Sequence, residues 1–171
     1  MLGRRTIVPA PRRVVGAAPG YGGAMPLHGE YEPSTLQWVA DQVAEYEASG
    51  GARANTLRDT GLPIIIVTTR GARTGKIRKF GLMRVEHHGE YALVASKGGA
   101  PHDPDWYSNL KADPAALMIQ DGPEPFDAVA REVEGDERDQ WWRRAVEAYP
   151  PYAEYQEKTN RRIPVLVARR A

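Results

Sequence analysis

From residue 62 onward the chain is a series of short β-branched and aromatic runs separated by glycine, proline and acidic breaks. Ile64-Ile65-Ile66-Val67-Thr68-Thr69 is an almost wholly apolar run of strand length, the pattern of a strand covered on both faces. Residues 82–86 and 91–95 flank His88-Gly89, where glycine supplies the positive φ of a tight hairpin turn. Residues 116–120 and 126–133 predict two more strands around Asp121-Gly122-Pro123, and 164–168 a closing one. Helical spacing is rarer. Ser34-Thr35-Leu36-Gln37 has the spacing of a capping box, and Leu36, Val39, Ala40 and Val43 recur on one face until Ser49-Gly50-Gly51, which predicts a helix over 34–47. Asp103-Pro104 predicts an N-cap with proline at the first helical position, opening a short helix that carries Trp106, Tyr107, Asn109 and Leu110. A further helix over 136–148 is stopped by Pro150-Pro151.

Six short strands with few helices do not alternate as a doubly wound fold would. They fit a mainly β (α+β) architecture, an antiparallel barrel with helices covering its ends, in which closure removes exposed edges. Residues 30–171 read as one domain. Residues 1–29 stand apart: Arg4, Arg5, Arg12 and Arg13 occur with no acid before Glu30, and glycine, alanine and proline dominate, which predicts a disordered arm. Pro9 and Pro11 interrupt its apolar stretch, against a secretory signal, and Met25 is an alternative start.

Composition narrows the chemistry. The absence of cysteine excludes disulfides, thiolate metal sites and cysteine nucleophiles, and suits a cytoplasmic location. A net charge of +1 lacks the global field of a general nucleic-acid binder, so no nucleic-acid partner is expected. No apolar run is long enough to span a bilayer, and four arginines without an apolar face give only thin support for peripheral attachment at the inner membrane face.

Three segments carry candidate chemistry. In TTRGARTGKIRKFGL (68–82), Arg70, Arg73, Lys76, Arg78 and Lys79 crowd a glycine-containing turn, which suits phosphate or carboxylate; a solvated hairpin tip is the plainer reading. It is not a P-loop, because the glycine spacing is one residue short and Ile77 stands where the magnesium-binding hydroxyl belongs. In SKGGAPHDPDW (96–106), Gly98-Gly99 lets the backbone approach a flat or anionic group, or serves only the turn. Trp106 by itself reads as core. Tyr149, Tyr152 and Tyr155 recur every third residue and form either an aromatic wall over a planar ligand or packing against the barrel. Of Trp141 and Trp142, at most one is expected in the core. His87 and His88 are expected to point apart and His102 stands alone, so no metal site is expected. No serine nucleophile elbow or Rossmann fingerprint occurs.

Four patches, TTRGARTGKIRK, VASKGGAPHDPDWYSNLKADP, YPPYAEYQ and TNRRIPVLV, resemble in order and spacing the deazaflavin-dependent nitroreductase family of actinobacteria. The resemblance implies a split antiparallel β-barrel of the FMN-binding kind, with flanking helices, that binds coenzyme F420. It implies that Arg73, Arg78 and, more weakly, Lys76 grip the phosphate and polyglutamate tail. Ala95, Ser96, Lys97, Gly98 and Gly99 would wrap the deazaflavin head, with Trp106 and Asn109 on the following helix. Tyr149, Tyr152 and Tyr155 would wall the substrate side. The implied activity is hydride transfer from reduced F420 to a small acceptor, a quinone, an enone or a nitro compound, with Ser96 bonding near the head or relaying a proton and Tyr152 orienting the acceptor. The helix at 34–47 would lie as a lid on the acceptor side. Phe80-Gly81-Leu82 departs from relatives that carry proline before leucine here. An FMN- or haem-binding split-barrel protein, a non-catalytic F420 carrier and a barrel binding single-stranded nucleic acid are the competing readings, and the number of cations on the turn exceeds what one phosphate needs.

Overall fold

The computed structural model describes residues 27–171, so the expectations for Met25 and most of the arm lie outside the described residues. In chain order the elements are α1 (Gln37–Ala48), β1 (Ile64–Arg70), β2 (Ile77–Met83), β3 (Glu86–His87), β4 (Glu90–Val94), α2 (Asp105–Ala112), β5 (Leu117–Gln120), β6 (Pro125–Glu132), α3 (Gly135–Ala148), α4 (Pro151–Glu157) and β7 (Val165–Arg170).

β1 lies inside the sheet because little in its sequence opposes burial on either side. Ile64 and Ile66 enter one apolar cluster, Ile65 and Val67 another. All strand pairs are antiparallel in the order β2-β1-β5-β6-β7-β4-β3, and the sheet curls into a half-barrel with flanking helices. Its two faces take different covers. One packs against Val43 and Tyr46 of α1, Trp141 and Ala145 of α3 and Tyr152 of α4. The other packs against Leu110, Trp106 and Tyr107 of α2. Each isoleucine or leucine fully buried in these layers contributes roughly 2 kcal/mol of transfer free energy.

The fold class is the expected split barrel, with several local differences. The sheet does not close into a ring, since β2 and β3 are its ends. The outer edge of β2 is covered instead by the segment before α1, where Tyr31 bridges Ile77 and the Ile77 amide donates to Glu30 O at 2.8 Å. The second strand begins at Ile77 rather than at residue 82, because the β1 hairpin keeps its register down to Arg70 opposite Ile77. Arg78 and Lys79 are therefore strand residues on opposite faces, and only residues 71–76 form the turn. The predicted run 82–86 divides between β2 and the two-residue β3, which makes seven strands.

Neither predicted cap forms. Ser34 Oγ accepts from the Leu36 amide, two residues on, and Gln37 donates to Asp41 along the helix. α1 is held by its buried side instead: Tyr46 Oη accepts from the Gly122 amide at 2.9 Å, and Val43 and Tyr46 lie in the core, so the helix is part of the packing. Asp103 does not cap α2, because its carboxylate accepts from Arg161. At the hairpin His88 (φ 52°) and Gly89 (φ 81°) make the expected turn. The left-handed His88 backbone re-aims its ring onto His87, so the two imidazoles stack at 3.9 Å rather than pointing apart. Of the tryptophans, Trp141 is the buried one.

Gly81, the departure from the family pattern, has a packing reason. A Cβ there would approach Ile64 Cδ1 to 2.9 Å, so a side chain on β2 would displace the neighbouring strand's isoleucine.

Candidate functional site

The strand alternation of the β1–β2 hairpin builds the first half of the site. Thr69 pairs with Arg78 across the strands, so both side chains leave the sheet on the face that α2 covers. Phe80, two residues along, stacks on Trp106 of α2 with ring centroids 5.7 Å apart. Asn109, one turn further along α2, accepts from the Ala72 amide through Oδ1 at 3.0 Å and ties the tip of the hairpin to the helix. Between these elements lies a cavity of about 480 Å³, lined among others by Glu32, Thr69, Arg73, Arg78, Trp106 and Asn109. That volume is in the range of small-molecule sites.

The cavity carries uneven charge. Arg73 is exposed and has no carboxylate partner among the described residues. Arg78 is paired with Glu32 at 2.5 Å, and the same carboxylate lies 3.6 Å from Lys76, which is not in the lining. Lys79 also lines the cavity, but its ammonium is paired with Glu47 at 2.5 Å. Thr69, also in the lining, is completely buried, and its hydroxyl has no hydrogen-bond partner among the described residues.

The second half of the site is the bend after β4. Lys97–Gly99 forms a tight turn in the left-handed region, with Lys97 at φ 45°, Gly98 at 64° and Gly99 at 81°, closed by the Gly99 and Ala100 amides donating to Ser96 O and Lys97 O. The two glycines serve different ends. A Cβ on Gly99 would come within 2.7 Å of Tyr155 O, so this residue lets α4 close onto the bend. A Cβ on Gly98 would meet nothing within 4 Å, so that backbone stands open. Arg161 holds the bend from behind: its guanidinium donates to Ala95 O (3.1 Å), Ser96 O (2.7 Å), Ala100 O (2.9 Å) and Asp103 Oδ1 (2.7 Å). This role is not legible in the sequence, because nothing local links residue 161 to carbonyls more than sixty residues earlier.

The tyrosines meet above that bend. Tyr149 and Tyr155 share a hydrogen bond between hydroxyls at 3.0 Å and lie edge-on to Tyr152. Tyr152 itself is 3 % exposed, wedged against both and near Trp142. The accessible phenols of the wall are therefore Tyr149 and Tyr155, and Tyr152 supports them from the core. Burial, and then the bond to Tyr155, pushes the Tyr149 hydroxyl up to about 12. Burial raises Tyr152 as well. Near neutral pH both are neutral hydroxyls rather than phenolates that take protons.

Of the residues expected at the site, Arg73, Arg78, Trp106 and Asn109 converge on the cavity. Ala95, Ser96, Lys97, Gly98 and Gly99 are outside its lining, and Gly99 packs against the tyrosine helix instead. Thr69 and Glu32 were missed. Among the described residues no cluster of three or more metal-ligating side chains occurs, and no helix is long and apolar enough to cross a membrane.

Comparison with known proteins bears on which chemistry this arrangement serves. The family model described as F420H(2)-dependent quinone reductase matches residues 38–170, which takes in the hairpin, the bend and the tyrosines together. The chain belongs to this family. A quinone reductase of Mycobacterium tuberculosis, described as F420H(2)-dependent, is 38% identical over 111 residues, covering 63% of this chain and 74% of that protein. A solved structure described as an F420-H2 dependent reductase, FDR-A, is 58% identical with a TM-score of 0.58, covering 62% of this chain and 93% of that one. Another, described as a domain-swapped dimer, is 50% identical with a TM-score of 0.61 and covers 79% of this chain and 99% of that one. The descriptions of the sequence relative and of the solved structure FDR-A have dependence on F420H2 in common.

Proposed function

We propose that this chain is an F420-dependent reductase that reduces a small acceptor, a quinone, an enone or an activated nitro compound, with the anionic part of the coenzyme held between the hairpin and α2. The observation that carries the reading is the convergence of Arg73 and Arg78 with Trp106 and Asn109 on one cavity. When bound, reduced F420 supplies hydride, and the protein's part is binding, alignment and exclusion of water.

The residues present fit such a group. Two arginines suit phosphate and carboxylate oxygens, which accept forked N–H donors. The orphaned Thr69 hydroxyl offers a further donor in the lining. Glu32 occupies one arginine with a carboxylate, so an anion entering beside Arg78 exchanges with that contact. On this reading Lys76 acts through the Glu32 pairing rather than from within the cavity.

The reaction end is assigned to the bend. Gly98 is its open point, where a planar ring can approach backbone without meeting a Cβ. Ala95, Ser96 and Lys97 flank that point, with the Ser96 carbonyl fixed by Arg161 so that the Ser96 side chain is presented from a rigid base. Ser96 is the candidate for a hydrogen bond to the head or a proton relay, and the Tyr149–Tyr155 pair for orienting the acceptor above it, with Tyr152 as the buried support.

The test is equilibrium dialysis with F420 followed by turnover of the reduced coenzyme against a panel of quinones, enones and nitroimidazoles. Arg73→Ala together with Arg78→Ala should weaken coenzyme binding by about a hundredfold, two charge-assisted contacts being removed. Unchanged binding in that double variant sinks the placement. Saturable binding without turnover of any acceptor selects the carrier reading instead.

A further inference from the structure

Ile65, Val67 and Thr69 form one row of side chains on the face of β1 that α2 covers, and all three are completely buried. The first two belong to the apolar cluster beneath. A valine at position 69 would continue the row with the same shape and no polar atom, yet the chain places a hydroxyl there and gives it no hydrogen-bond partner among the described residues. An unsatisfied buried hydroxyl destabilises a fold, so its position matters. Thr69 lines the cavity, which also holds the carboxylates of Glu32 and Asp105, and stands directly across the strands from Arg78. The other orphaned side-chain atom among the described residues, Asp127 Oδ1, belongs to a residue outside that lining. By strand register Asp127 pairs with Met118 and Met118 with Thr68, so it leaves the opposite face of the sheet.

We infer that Thr69 is a ligand-binding residue of this chain, its Oγ–H donating to a phosphate or carboxylate oxygen of the coenzyme beside Arg78; the inference rests on the proposed F420 reading. The two groups divide the work. Arg78 supplies charge, which attracts any anion and is screened by salt. Thr69 supplies one directional donor in a dry corner, where leaving it unpaired is costly, so it selects an anion shaped to reach it. The residue thereby trades stability of the unliganded protein for discrimination.

The experiment compares Thr69→Val and Thr69→Ser with the wild type by equilibrium dialysis against F420 and, separately, inorganic phosphate, with thermal unfolding of each unliganded protein. The expected result is that Thr69→Val weakens F420 binding about tenfold or more while its unfolding midpoint rises by on the order of 3 °C, since the orphan is gone. Thr69→Ser should bind within about threefold of wild type, because the hydroxyl is retained. Val binding F420 as tightly as the wild type overturns the inference, as does Ser losing as much affinity as Val, which would make shape rather than the hydroxyl the cause. A wild type that binds phosphate with the same sensitivity at residue 69 but not F420 sinks the coenzyme reading and leaves Thr69 as an anion ligand. Binding of neither probe overturns both.

Discussion

The hairpin cavity and the glycine bend were expected to be two ends of one site, yet they are opposite kinds of structure. The cavity is open and incompletely satisfied: Arg73 has no carboxylate partner among the described residues, Thr69 holds an orphaned hydroxyl, and Arg78 borrows a carboxylate from the segment before α1. The bend is heavily bonded and open only at Gly98, with three carbonyls and a carboxylate taken by Arg161 and with Gly99 pressed against α4. A surface that must receive a ligand keeps polar capacity in reserve, whereas one that must present a ring at a fixed angle uses its capacity internally for rigidity.

That contrast can be broken most forcefully at Arg161. Arg161→Met removes four acceptor contacts from a largely buried side chain and should destabilise the fold by about 3 kcal/mol. Urea unfolding measures this, and hydrogen exchange at the Lys97–Gly99 turn should accelerate in parallel. If stability holds and the turn stays protected, the bend is rigid for another reason. A smaller effect is expected on the cavity side. Glu32→Gln frees Arg78 and Lys76 from their shared carboxylate, so F420 should bind about threefold tighter at low salt, with the gain shrinking as salt rises. Weaker binding in that variant would make Glu32 a support of the site rather than a competitor.

The smallest effect is a pH dependence. Tyr149 is held neutral, with its folded value raised to about 12 from the ordinary 10.0. An acid raised on folding contributes stability that is fully present below the unfolded value and is lost as pH rises toward the folded one. Tyr149→Phe should therefore flatten the fall in stability between about pH 10 and 12 while leaving the profile from pH 6 to 9 unaltered. Chemical denaturation across that range reads it, and an unchanged alkaline limb would assign the fall to other groups.

Much of the candidate site was legible because its parts are local. The hairpin at His88-Gly89 announces itself through the residue types its turn demands, and the basic turn and the bend stand out by composition. Thr69 was invisible for the opposite reason. In sequence it ends an apolar run and reads as strand; only the pairing with Arg78 and the cover of α2 show that its hydroxyl ends without a partner in the lining of a cavity. Tyr152 reads from its spacing as one of three equal phenols, and only packing separates it from the two that remain accessible.

The chain by itself determined the β-rich class, the hairpin, the helix after the bend and the family, because periodicity, turn chemistry and motif order are carried by neighbouring residues. The tertiary structure decided where β2 begins, which arginine already holds a carboxylate, what anchors the bend and which polar atom has been left wanting. Those outcomes depend on pairings between distant segments, such as Arg161 with Ser96 and Glu32 with Arg78, whose energies belong to a geometry that no local stretch contains.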